Sequence, residues 1–311
     1  MARQRVSRRG FLQEASLGTA GAVAAGAMQG YGGQREKAGL AARGGSPVRT
    51  RPFTAWPPVT PEVEQSLLAA FRSRKWSRMQ GEGQVATFEK RFAELLGAGR
   101  CLATGSGTQA LHTALHAVGV EAGDEVLVAP CTFIASVQAI LMSNALPVFV
   151  DVDLNTFQMD PAKIEPLVNG NTRVVEPVHI GGLPCDMDRI LAVARKRGLK
   201  VVEDAAQAAL AEFRGKKCGT LGDLGCFSFQ NSKHITSGEG GAVTGNDERL
   251  LDRCQAYHNC GRGYGTFRGG GSFSRGTNYR LTHIQAAMLL QQIDKLVADT
   301  ERRRANAERL T

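Results

Sequence analysis

At 311 residues, with 42% apolar and 22% charged side chains, the chain can bury the core of one large domain, or of one large and one partial domain. The net charge of +9 is unevenly placed, since residues 1–50 hold six of those nine charges. The rest is close to neutral, and no aromatic–basic interleaving or nucleic-acid motif points to a nucleic-acid partner. Seven cysteines without CxxC spacing read mostly as small buried hydrophobes.

Residues 1–27 read as an export leader. Ser7-Arg8-Arg9-Gly10-Phe11-Leu12 matches the twin-arginine pattern, an apolar Gly/Ala-rich segment follows, and Ala25-Gly26-Ala27 offers a small-residue cleavage site. The segment is too short and too weakly apolar for a membrane span, so no membrane role is expected beyond export. That leader implies an exported, periplasmic protein; without it the chain reads as cytoplasmic. Residues 28–50 are rich in Gly, Arg and Ala and read as a linker.

The large domain is expected over 51–280. Helical periodicity begins at Pro61, with proline early in the helix, where it is tolerated. A second amphipathic helix carries Val85, Phe88, Phe92, Leu95 and Leu96 and closes at Gly97. Strand-like runs then follow at 100–104, 125–129, 147–152, 173–179, 200–204, 225–229 and 241–244. Helices are expected between most of them, near 107–118, 133–144, 186–197 and 246–259. This alternation predicts a three-layer α/β/α domain with a mostly parallel seven-stranded sheet. Residues 281–311 read as one long helix leading towards a missing or truncated C-terminal small domain.

Ligands of open α/β sheets sit at the carboxyl ends of strands, and three groups fall there. Thr104-Gly105-Ser106-Gly107-Thr108 is a glycine-rich strand-to-helix turn, suited either to a phosphate or to an ordinary cap by Ser106 or Thr108. Glu203 and Asp204 end an apolar strand on opposite faces, and either a ligand cation or a helix cap would use such a carboxylate. Ser228 lies on the apolar run 226–229, and Lys233 lies beyond it, before the glycine-rich 237–241. A loop lysine alone is usually a solvated side chain. Together with a phosphate turn and a carboxylate, it supplies the parts of a pyridoxal 5′-phosphate site. His112 and His116 have metal-compatible spacing but lack HExxH and a third ligand, so no metal is expected. Lys216 and Lys217 read as surface residues.

The sequence resembles the DegT/DnrJ/StrS family of pyridoxal-phosphate-dependent aminotransferases over about residues 52–310. Seven segments carry the resemblance in the family's order: GEGQVATFEKRFAELLG (81–97), GSGTQAL (105–111), PCTFIAS (130–136), HIGGLPCDMD (179–188), VEDAAQA (202–208), FSFQNSKHITSGEGG (227–241) and GTNYRLTHIQAA (276–287). It implies a fold type I transferase, a homodimer, and amino transfer from glutamate or glutamine to a keto sugar, usually nucleotide-linked. Lys233 is then the Schiff-base lysine and proton shuttle, and Asp204 pairs with the pyridinium nitrogen. Gln207 lies near the phenolic oxygen and Phe133 stacks on the ring. Gly107, Thr108 and Ser228 hold the phosphate, which Asn278 reaches from the partner subunit. His179 lies near the site without an assigned role. The rival reading is a non-catalytic relative that binds the cofactor or a partner without turnover.

Overall fold

The computed structural model describes residues 39–265 and 274–310. The leader 1–27 therefore lies outside the described residues, as do parts of the linker and of the loop after residue 260. By its internal contacts the chain divides into residues 1–54 and 55–311. The described part of the first unit holds one turn of 3-10 helix, Ala41–Arg43, and an Arg49 side chain that donates to the carbonyls of Arg51 and Pro52.

The second unit is built on one sheet. Its strands are β1 (Arg100–Thr104), β2 (Glu125–Val128), β3 (Leu146–Phe149), β4 (Thr172–Glu176), β5 (Lys200–Asp204), β8 (Leu224–Ser228) and β9 (Gly241–Gly245). The short pair β6 (Glu212–Phe213) and β7 (Lys216–Lys217) stands apart. Around the sheet are α1 (Pro61–Arg72), α2 (Gln84–Leu96), α3 (Gly107–Ala117), α4 (Ile134–Met142), α5 (Met187–Arg197), α6 (Glu248–His258), α7 (His283–Leu290) and α8 (Ile293–Leu310). Strand order is β1-β9-β8-β5-β4-β2-β3, and β9 alone runs against the others. The mostly parallel seven-stranded sheet matches the expectation.

Strand alternation sorts the core into two faces. Leu102, Val126, Val174, Val202, Leu224 and Val243 pack with apolar residues of α3, α4 and α6. On the other face Cys101, Ala103, Phe227 and Ala242 meet α2 and α7, while Leu127, Val175 and Val201 meet α5. That is the expected three-layer order. Phe88 and Phe92 of α2 pack on Phe227 and Phe229, with three edge-to-face pairs at centroid distances of 5.3–5.4 Å. Each such pair adds about 0.5–1.5 kcal/mol beyond burial. The cluster anchors the end of β8, from which the Lys233 loop departs.

The single helix expected over 281–310 is two helices, broken at Gln291 and Gln292. Gln292 is buried, and its side chain accepts from the Thr236 N–H (3.1 Å) and donates to the Thr236 carbonyl (2.7 Å). A residue turned inward to hold another loop's backbone breaks the helical run. Among the described residues no helix is long and apolar enough to cross a membrane.

Candidate functional site

Three strand ends converge on one cavity of about 630 Å³, lined among others by Gly107, Thr108, Phe133, Asp204, Gln207, Ser228 and Lys233. Seven of the eight expected site residues thus share one space.

The phosphate end is set by sheet register. Thr104, Gly241 and Ser228 lie in one row across β1, β9 and β8. After Thr104 the chain turns back over that row. A Cβ at Gly241 would stand 2.4 Å from Ser106 backbone atoms, and one at Gly107 would stand 2.8 Å from the Ser228 Cβ. Only glycine permits both approaches. Ser106 caps α3, its hydroxyl accepting from the Gln109 N–H at 3.2 Å. Gly107 and Thr108 take the first two helical positions, whose N–H groups have no intrahelical acceptor. Those donors and the positive end of the helix dipole make a place for an anion.

The carboxylate end comes from β5. Asp204 is 5% exposed and faces α3 and α4. Ser136 donates to its Oδ2 at 2.7 Å, and the Ala206 N–H donates to its Oδ1 at 3.0 Å. Ser136 carries no sequence signal beyond its place at the end of PCTFIAS. Glu203 faces the other way, as alternation predicts. It is buried, and its two oxygens accept from the N–H groups of Gly219, Leu221 and Gly222 at 2.7–2.8 Å and from His179 Nε2 at 2.9 Å. His179 Nδ1 in turn accepts from the Cys185 N–H (3.1 Å). His179 is therefore a satisfied structural histidine behind the site.

Lys233 sits in the 229–240 connection of the antiparallel hairpin β8–β9. The loop is tied at several points. Phe229 N–H bonds the Gly240 carbonyl, and Gln292 holds Thr236. Trp56 Nε1 donates to the Asn231 carbonyl and Gln285 to that of Glu239. Lys233 itself is half-buried, and burial pulls its ammonium below the usual lysine range while the Asp204 charge opposes the shift. A lysine so placed exposes a nucleophilic, basic amine more readily than a solvated one. It also lines a second cavity of about 340 Å³ with Gly181, Gln207 and His234.

Phe133 stands at the mouth, 66% exposed, just before the first turn of α4. The Gln207 side chain accepts from the Gly181 N–H at 2.7 Å, tying the HIGG turn to the cavity wall. Asn278 is exposed and lies outside the cavity lining. The His112–His116 pair belongs to an aromatic cluster: His112 bonds the hydroxyls of Tyr279 (3.1 Å) and Tyr257 (3.2 Å), and His116 stacks on Tyr257. Lys217 pairs with Glu212 across the β6–β7 ribbon.

An anion cradle that admits only glycine, a dry carboxylate with two donors, a half-buried amine and an exposed ring at the mouth fit a flat, cationic, phosphorylated cofactor. Fold and site define a transferase of the three-layer, lysine-centred class. The DegT/DnrJ/EryC1/StrS aminotransferase family model matches residues 59–311, and the chain belongs to that family. The family works with pyridoxal phosphate. The chain is 45% identical over 212 residues to the GDP-perosamine synthase of Caulobacter vibrioides, covering 68% of this chain and 57% of that protein. It is 40% identical over 281 residues to the L-glutamine:2-deoxy-scyllo-inosose aminotransferase of Streptomyces paromomycinus, covering 86% and 66%. A solved aminotransferase from Psychrobacter cryohalolentis superposes with a TM-score of 0.77 at 38% identity, covering 83% of this chain and 67% of that one.

Proposed function

We propose that the chain is the cofactor-binding part of an aminotransferase that moves an amino group from glutamine or glutamate to a keto sugar. The observation that carries this reading is the shared cavity of Lys233, Asp204 and the Gly107–Thr108 turn. Pyridoxal phosphate, when bound, supplies a cationic ring that delocalises carbanion charge. The chain's own residues do the rest. Gly107, Thr108 and Ser228 would hold the phosphate. Asp204, oriented by Ser136, would hold the ring nitrogen and keep it protonated. Phe133 would cover the ring face and exclude water. Lys233 would carry the cofactor covalently until an incoming amino group displaces it, and its freed Nζ would then take and return the substrate proton.

Three finer points belong to the same reading. The relative that makes GDP-perosamine supports a nucleotide-linked acceptor, whereas the inosose aminotransferase supports an unlinked ring ketone. Asn278, exposed and away from its own chain's cavity, suits a reach into a partner's site, so a homodimer is part of the proposal. The leader at 1–27 would export the folded protein; a reporter fusion exported only with Arg8 and Arg9 intact tests it.

The central test is direct. Protein incubated with pyridoxal phosphate and reduced with borohydride should carry an adduct on Lys233. Glutamine or glutamate should shift the visible band before reduction. An adduct elsewhere, or none, refutes the assignment. An adduct at Lys233 with no response to either amino acid favours the non-catalytic reading.

A further inference from the structure

Glu176 ends β4, next to β5, and is fully buried. Neither carboxyl oxygen has a hydrogen-bond partner among the described residues. It lies two residues before Val178, which bridges Asp204, and across β2 it is level with Val128. By alternation it faces the same side as Val174, Val202 and Asp204, under α3 and α4. Two carboxyl groups thus lie on one dry face, one layer apart on adjacent strands.

Their surroundings differ. Asp204 takes two donated hydrogen bonds, and Glu176 takes none. Ionised carboxylates need donors and neutral acids tolerate apolar walls, so the pair divides its charge unequally. Resting on the proposed cofactor site, we propose that Glu176 is held as a neutral carboxylic acid beneath Asp204, so that the pair's one negative charge stays on the residue that faces the ring nitrogen. Glu176 is then a positioning residue, which touches neither cofactor nor substrate.

The other groups around it are few. Beside Asp204 on β5, β8 presents Cys226, a buried thiol pushed well up by burial. Helix α3 carries His112 and His116, engaged with Tyr257, Tyr279 and Arg275, and α4 contributes only the Ser136 hydroxyl. Burial first, then the Asp204 charge, pushes the Glu176 acid well above the ordinary carboxyl range. As pH rises Glu176 ionises, placing a second charge beside Asp204 where nothing pairs with it.

The test begins without cofactor, which separates it from the transaminase reading. Wild type, Glu176→Gln and Glu176→Leu are compared. The infrared spectrum of wild type at neutral pH should hold a protonated-carboxyl band that both variants lack. Above about pH 4.5 the unfolded chain has released the proton that the native state keeps, so wild type loses stability relative to the variants as pH rises. The gap in Tm should widen by about 2–3 °C per pH unit until Glu176 ionises. With cofactor bound, the alkaline change in the visible band should fall at a different pH in wild type and in Glu176→Gln. No acid band, or three parallel Tm curves, overturns the proposal. Failure of the cofactor to bind, with band and curves as expected, overturns only the function assigned to the site.

Discussion

Adjacent carboxylates on β5 should respond to the same chemical change in opposite ways. Glu203→Gln keeps size and shape but turns one acceptor oxygen into an NH2 group. Whichever way the amide sits, two of the four donors around Glu203 face it: either Leu221 and Gly222 or Gly219 and His179. At about 1.5–3 kcal/mol for each hydrogen bond to a charged group, the loss is about 3–6 kcal/mol. That is a large share of a stability of about 5–15 kcal/mol. With a urea m-value of about 3 kcal/mol/M, the midpoint should fall by about 1–2 M. Asp204→Asn loses far less stability, because Ser136 can turn its hydroxyl to Thr132 or to the Phe133 carbonyl. Its midpoint should fall by less than about 0.5 M, while the proposed amino transfer collapses. Urea curves followed by circular dichroism, with turnover measured on the same samples, decide the matter. Equal midpoints for the two variants would refute the division of labour across this strand.

Three further outcomes are expected. Gly107→Ala must part the phosphate turn from Ser228, at a cost of about 1–3 kcal/mol, and should weaken pyridoxal phosphate in a fluorescence titration; unchanged affinity would mean the cradle lies elsewhere. His258 is buried and neutral, its pKa pushed down to about 3 first by burial and then by Arg78. Between pH 6.5 and 3 the unfolded chain holds a proton that the native state lacks, so stability present above pH 6.5 is lost on acidification, by up to about 5 kcal/mol. His258→Asn keeps a donor for the Gln255 carbonyl and should flatten that loss in Tm measured from pH 7 to 4. Phe92→Ala opens the aromatic cluster under β8 and should cost about 3–5 kcal/mol by denaturant melts.

Much of this site is legible in the residues because its parts sit where strands end, and strand ends are marked by local composition. The run 200–204 matches β5 residue for residue, and its alternation correctly separates Glu203 from Asp204. What escapes is anything decided across long separations. Glu203 meets donors 16–19 residues ahead, and no local pattern announces that. Gln292 breaks a helix whose own periodicity continues, because its partner is Thr236 in a distant loop. Glu176 reads as an inner position of the run 173–179 until the structure ends the strand there and the register sets it beneath Asp204. The reversed direction of β9 follows from the β8–β9 hairpin, but its pairing with β1 is equally non-local.

That reversed strand has a consequence for how the site can change over time. The row Thr104–Gly241–Ser228 joins the anion turn to β8, while the connection 229–240 beyond it is held by side chains of Trp56, Gln285 and Gln292. Side-chain substitutions in that connection leave the row untouched, so the lysine's surroundings can change without moving the anion turn. A one-residue slip of β9 would instead bring Ala242 beneath Ser106 and close the anion turn. The architecture separates a part free to diversify from a part locked by geometry, and the boundary between them is Gly241.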